Sequence, residues 1–524
     1  MTKRAVKILG YVTGLVHRVK KLRQYPAMQY LCMQLLHRDG ISILAWPFVS
    51  RVTMRKQDRV LILLGLLLSL PCSLAAAEDP QPQQAPAVRI YLTNRADEDW
   101  GFLRDASKRD FWDSLKYIPL GGENRYLTLS GEMRFRPEVF RIQGNEGAPS
   151  ISDSYLLQRY LFGADWHLGR SFRVFTEIQS GILTGVVQSP RPTDENSLDL
   201  HQAFFEWRQP GNNRRAFGIK VGRQEVEIGS SRLISASPGM NVKRSFDGVV
   251  VDYRRDAWRF SAVGARLVSI EKDMFDDRPD HEQTCYGVAA SHEGFLVKQG
   301  RVAFYYLYLD RAESWYAQGI GRDRRHTAGL KWAGSKNQVD LNYDAIVQWG
   351  SFDNASVRAW AFSSETGYRF TDTRWKPRIS VRADIASGDR DPKDPDLQSF
   401  NPLFPGNSYA GVVGMLGPTN LTDLTPAVSF MVRKSLMLTF ELPSYWRTSL
   451  GDGLYSPDQR VLLSAGAGQG KYVGTNPGIS AAWQITNHLQ FQGAVTRMIP
   501  GRFLEDTFVA NGLSFYSATA LYRF

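Results

Sequence analysis

The sequence predicts an all-β protein: a single transmembrane antiparallel β-barrel of about 18 strands, with short periplasmic turns and long extracellular loops. Three observations predict it. Segments of roughly ten residues alternate apolar and polar side chains with period two. Their connections alternate between short turns and long polar loops. The sequence also ends on an amphipathic strand, in which Tyr516, Ala518, Ala520, Tyr522 and Phe524 share one parity and Ser517, Thr519 and Arg523 the other. Such a strand can pair with the first one and turn its aromatic face to lipid. A membrane-spanning sheet needs this, because no backbone group can be left unpaired in hydrocarbon.

From the N-terminus, residues 1–53 are basic (Lys3, Arg4, Lys7, Arg18, Lys20, Lys21, Arg23) and show no evident fold. Met54 precedes Arg55, Lys56 and Arg59, an apolar run over 60–77, and Ala75-Ala76-Ala77. This reads as a secretory signal peptide, 54–77, and the run is too short for a comfortable membrane helix. Residues 1–53 are then expected to be an upstream extension wrongly joined to the protein; a cytoplasmic extension with an uncleaved anchor is the alternative. Residues 1–77 hold 12 Lys+Arg and 2 Asp+Glu. The remainder has 64 − 12 = 52 basic and 52 − 2 = 50 acidic residues, so the charge of +12 falls to +2. The basic excess therefore carries no implication of nucleic acid. One cysteine, Cys285, remains, which leaves no internal disulfide.

Residues 78–88 are rich in Pro, Gln and Ala and read as flexible. The stretch 78–125 as a whole is expected to be a periplasmic segment, with Trp100, Phe102, Phe111 and Trp112 and a short helix. The barrel occupies 126–524. Leu127, Leu129, Gly131, Met133 and Phe135 alternate with Thr128, Ser130, Glu132, Arg134 and Arg136. Val339 to Trp349 alternates with Asp340, Asn342, Asp344 and Gln348, and Ile379, Val381, Ala383 and Ile385 with Arg378, Ser380, Arg382 and Asp384. Each segment is long enough to cross a bilayer at a tilt. Short turns fall at 167–170, 334–337 and 486–488, and long loops near 139–152, 181–197, 229–246, 267–283, 388–423, 448–476 and 499–512. Nine up–down pairs place both ends of the barrel on the short-turn side.

A barrel of this size encloses an aqueous channel, so the lumen decides function. The first strand sends Glu132, Arg134, Arg136 and Glu138 inward, and the next sends Arg159 inward. Beyond Gly222 the apolar parity flips, as a β-bulge would make it, and this aims Arg223, Glu225 and Glu227 at the lumen. Arg223 is then the leading constriction residue, and Arg382 is a further inward arginine. Facing arginines in a low-dielectric pore favour anions, and the guanidinium fork suits carboxylates. The same pattern also fits a zipper of Arg–Glu pairs that braces the wall.

Phe524 resembles the terminal assembly signal of bacterial outer-membrane proteins. An ordered series also resembles the alginate export family of outer-membrane porins: Trp100-Gly-Phe-Leu-Arg-Asp105, Leu115 to Leu120, Gly131-Glu-Met-Arg-Phe-Arg136, Gly222-Arg-Gln-Glu225, Arg232-Leu-Ile234, Asn241 to Gly248, Ser387 to Asp391, Phe400-Asn-Pro-Leu-Phe404 and Gly501-Arg-Phe-Leu504. The resemblance runs from about 98 to the last residue. It implies a monomeric 18-stranded barrel whose arginine-rich pore passes an anionic polyuronate. Arg134, Arg136, Arg159, Arg223 and Arg382 would line that pore, with Glu132, Glu225 and Asp384 as countercharges. The implied surroundings are outer-membrane lipid and an acidic solute such as an anionic polysaccharide, with a periplasmic export scaffold as a possible partner and no cofactor. The alternatives are a general small-anion diffusion porin and a structural or adhesin barrel. An outer-membrane hydrolase lacks a motif: His167, His201, His281, His292, His326 and His488 stand in no recognisable nucleophile–base arrangement. The acidic cluster Asp273, Asp276, Asp277, Asp280 and Glu282 fits no known calcium-loop spacing and reads as a solvated loop.

Overall fold

Alternation along the strands sets the fold, because one face of each must meet lipid and the other the lumen. The structure is a computed structural model that describes residues 91–524, apart from 106, 108, 110–112, 123, 144–149, 188–189, 211–213, 407–413 and 508–511. The expected leader and signal peptide lie outside the described residues. Eighteen antiparallel strands close into one barrel. They are β1 (Arg125–Ile142), β2 (Ile151–Leu168), β3 (Phe172–Val186), β4 (Asn196–Arg208), β5 (Arg215–Gln224) and β6 (Phe246–Arg255). Next come β7 (Trp258–Ser269), β8 (Gln283–Glu293), β9 (Gln299–Tyr316), β10 (Gly319–Lys336), β11 (Val339–Phe352) and β12 (Ala355–Arg369). The last six are β13 (Arg378–Ala386), β14 (Leu421–Arg433), β15 (Leu436–Glu441 continuing as Ser444–Arg447), β16 (Tyr472–Thr475 continuing as Gly478–Gln484), β17 (Leu489–Pro500) and β18 (Leu513–Arg523). The breaks in β15 and β16 fall at Pro443 and Pro477, whose missing N–H groups cannot serve the ladder.

Closure is made by β18 against β1, from Glu132↔Arg523 to Ile142↔Leu513. Gly131 and Phe524 exchange backbone hydrogen bonds of 3.1 and 3.0 Å. A Cβ on Gly131 would stand 2.2 Å from the Phe524 ring, so only glycine admits the terminal aromatic. Outward positions are those the alternation marks: Phe162, Val347, Trp349, Ile379 and Tyr516 are each about half exposed, while Asp344, Gln348 and Asp384 on the opposite parity are buried.

The long and short connections alternate around the barrel with two departures. β9 and β10, and β11 and β12, meet on the long-loop side through two-residue turns, 317–318 and 353–354. β9 and β10 have 18 residues each, as β1 and β2 do, more than a membrane crossing requires.

Residues 91–122 do not stand apart from the wall. They form two 3-10 turns (Arg95–Asp97 and Gly101–Arg104), helix α1 (Asp113–Lys116) and a two-residue strand (Ile118–Pro119) that extends the sheet beside β1. The segment packs on inward residues of the first four strands. Arg173 Nη2 donates to the Ala96 carbonyl at 2.6 Å and Gln202 Nε2 to Asn94 Oδ1 at 3.1 Å. Phe175 and Phe204, stacked 5.5 Å apart, cover Ala96. Lys116 Nζ donates to the Leu129 carbonyl at 2.9 Å, and Arg95 Nη2 to that of Phe524 at 2.5 Å.

Candidate functional site: the lumen and its inserted loop

The connection 225–245, between β5 and β6, folds into the barrel. Its residues Ser230, Leu233, Ile234, Asn241, Val242 and Lys243 are all buried. Gly229 makes the fold possible: its φ is +69°, and a Cβ there would come within 2.5 Å of the Tyr305 ring. Val226, Ile228, Leu233 and Ile234 pack against Val263, Cys285, Leu307 and Leu309 on the inward face, together with Phe400, Leu403 and Phe404 from the connection 387–420. Ile234 bridges to Phe404, whose ring meets Phe246 edge-on at 5.4 Å. The lumen face of the middle strands is therefore apolar, and two loops bury it.

The apex of the inserted loop is held by polar groups. Arg134 donates to the carbonyls of Gly239 and Met240 at 3.1 and 2.6 Å and to Asn241 Oδ1 at 3.2 Å. Arg159 donates to the carbonyls of Pro238 and Met240 at 2.9 and 2.8 Å, and to Glu132 at 2.5 and 2.8 Å. Asn241 Nδ2 donates back to the carbonyls of Gln158 and Asp194 at 3.1 and 2.9 Å. On the far side Arg232 pairs with Asp384 at 3.2 Å. The loop thus reaches from β1 and β2 to β13 and narrows the lumen. Nearby, Arg244 donates to the carbonyls of Ser235 and Pro405, and burial pushes its guanidinium down to about 10.

The structure brings most of the nominated residues into the lumen but occupies them. Glu132 lies between Arg159 and Arg523, the latter at 2.8 Å. Arg136 reaches the Gly239 carbonyl at 2.5 Å and Glu138 at 2.8 Å. Arg382 pairs with Asp423 at 3.1 Å and lies 3.5 Å from Asp384. Glu225 accepts from Lys243 and lies 3.0 Å from His201 Nε2.

Arg223 is placed differently from the expectation. The registers of β4, β5 and β6 run through Gly222 without a shift, so no bulge turns Arg223 inward. Gln224 pairs with the inward Phe246, and Arg223 therefore shares the outer face with its partner Asp247. Two residues along, Val221 and Val249 on that face are 48% and 40% exposed. Arg223 binds Asp247 at 2.9 and 3.0 Å and the carbonyls of Leu200 and Asp277 at 3.1 and 3.3 Å, near the outer rim. There burial, and then Asp199, push the Asp277 carboxyl up to about 6.

Among the described residues, two cavities adjoin the inserted loop. The larger, about 1530 Å³, runs from Arg191 and Arg460 on the extracellular side to Leu92–Asn94 of the N-terminal segment. Its three arginines are each paired: Arg136 with Glu138, Arg191 with Asp194, and Arg460 with Asp458. Asp97, Asp153, Glu225 and Glu227 add further carboxylates. The smaller, about 300 Å³, lies toward the periplasmic half and carries Lys220, Arg259 and Arg301 opposite Asp97, Asp252, Glu225 and Glu227. Sequence reading passed over these cations, although Lys220 already stood between Ile219 and Val221 on the polar parity of its strand.

Several solved structures from Pseudomonas aeruginosa are similar to this barrel. OccD3 (OpdP) matches with a TM-score of 0.50 at 11% identity, over 78% of this chain and 92% of that one. OccK8 (OprE) matches at 0.49 and 12%, over 76% and 98%. The outer membrane protein opdK matches at 0.48 and 9%, over 76% and 98%. No curated protein matches the chain significantly. The alginate export family model matches residues 125–512, from the first strand to the brink of the last. The chain is a bacterial outer-membrane porin barrel and belongs to the alginate export family.

Proposed function

We propose that this channel passes an anionic solute, with an acidic polysaccharide such as alginate as the first candidate. The observation that carries the reading is the periplasmic-side chamber. Lys220, Arg259 and Arg301 enter it from β5, β7 and β9, and Lys220 and Arg259 have no ion pair among the described residues. The chamber's three cations stand opposite four carboxylates, so the potential is positive beside Lys220 and Arg259, and there, between low-dielectric walls, it lowers the barrier to an anion arriving from the periplasm. The neighbouring carboxylates limit how tightly a polyanion is held, which lets it leave. Of the arginines nominated from sequence, Arg134, Arg136 and Arg159 serve instead as anchors for the loop that sets the width of the passage. The family supports the polymer; the narrowed lumen favours the smaller-solute alternative, a diffusion porin for small anions.

Reversal potentials in planar bilayers under a salt gradient test the reading. The double variant Lys220→Glu, Arg259→Glu should move selectivity toward cations, while Arg223→Glu, on the outer face, should leave it unchanged. Unaltered selectivity in the double variant rules out this chamber as the filter. Current block by oligouronates but not by monomeric uronate would distinguish the polymer channel from the small-anion porin.

A further inference from the structure

We infer that Glu177, His201 and Glu225 form a binding site for a borderline divalent cation of the zinc type, which staples the inserted loop to the wall. The three residues come from three elements. Glu177 is an inward residue of β3. His201 is the extra residue of a bulge in β4, where Glu177 pairs with Gln202 and Ile178 with Leu200, and the bulge turns the imidazole inward. Glu225 is the first residue beyond β5. One ligand atom from each lies within 4.8 Å of the others. His201 Nε2 is 3.0 Å from Glu225 Oε1 and 3.9 Å from Glu177 Oε1.

One buried carboxylate oxygen in this cluster has no partner: Glu177 Oε2, on a residue only 1% exposed. Buried polar atoms are rarely left so. The Lys243 ammonium covers Glu225 alone and also donates to the Thr93 carbonyl at 3.1 Å, so it keeps an acceptor if a cation takes Glu225. Two carboxylates against one ammonium leave a net negative charge beside the imidazole. One imidazole nitrogen and two carboxylates form a three-ligand set with a position open to water, which suits zinc better than calcium. Glu225 lines both cavities and gives the ion its way in.

Untagged protein, stripped with EDTA and dialysed in detergent, should bind one equivalent of Zn2+ by equilibrium dialysis. With Co2+ as probe it should show visible d–d absorption of a low-coordinate site. His201→Ala and the near-isosteric Glu177→Gln should each weaken binding at least tenfold, and Lys243→Met should preserve or strengthen it. Failure of the wild type to bind Zn2+, or stoichiometric binding unaffected by both ligand variants, overturns the assignment.

Discussion

The two sides of the lumen hold the inserted loop by different physics. On the side of β1 to β4, guanidinium groups grip backbone carbonyls: Arg134 and Arg159 hold residues 238–241, and Glu132 balances the charge. On the side of β6 to β13, Leu233, Ile234 and Phe404 are simply removed from water against Tyr305 and Leu307. The first attachment is directional and depends on every partner being present. The second is non-directional and scales with the apolar area covered. The comparison teaches that an inward face need not be a polar face; an apolar stretch of lumen signals a loop that comes to cover it.

The largest expected effect comes from breaking the charged side. Arg159→Ala leaves Glu132 with Arg523 alone and takes one of two arginine donors from the Pro238 and Met240 carbonyls, at a cost of about 3–5 kcal/mol. Hydrogen exchange should accelerate at residues 239–243 and single-channel conductance should rise. Unchanged conductance would mean that the loop does not set the width. Phe404→Ala attacks the apolar side at a cost of about 3 kcal/mol. Exchange should quicken around 400–406 and around Leu233 but stay slow at the apex. Equal acceleration at both places would show that the two attachments are one cooperative unit.

A smaller effect sharpens the contrast through pH. Asp389, buried in the connection 387–420, has its carboxyl pushed up to about 6 by burial and then by Asp452. A folded-state value above the unfolded one means that the docked loop binds the extra proton. Docking therefore strengthens as pH falls through 6 toward 4, by about 2–3 kcal/mol in all. Proteolytic nicking of this connection should slow on going from pH 7 to pH 5, and Asp389→Asn should remove the dependence while keeping the loop protected at pH 7. A variant that keeps the full pH response would place the titrating group elsewhere.

The barrel was legible in the sequence because lipid imposes a strict rule. Val347, Trp349 and Ile379 must be apolar whatever they neighbour, and period two follows. The parity of Glu132, Arg134 and Arg159 was legible for the same reason. Their partners were not, since the carbonyls they bind belong to residues about a hundred positions away and carry no side-chain signature. The in-folding of 225–245 and 387–420 did leave a signal: Leu233, Ile234, Phe400, Leu403 and Phe404 are too apolar for loops in water. Arg223 misled because a local phase flip in the pattern was read as a bulge, whereas the strand runs on in register and the flip marks the start of the inserted loop. The two-residue turns at 317–318 and 353–354 show that the loop asymmetry is a tendency rather than a rule.

The bond from Arg95 to the Phe524 carbonyl joins positions 429 apart in the chain, and it has a consequence for biogenesis. Contacts of such high sequence separation form late, because most of the polymer must already be arranged before they return any free energy. The first described residues therefore have to be threaded inside while the cylinder still gapes, and zipping β18 onto β1 traps them there. Filling and sealing become a single kinetic event, completed when Phe524 meets Gly131 and Arg95.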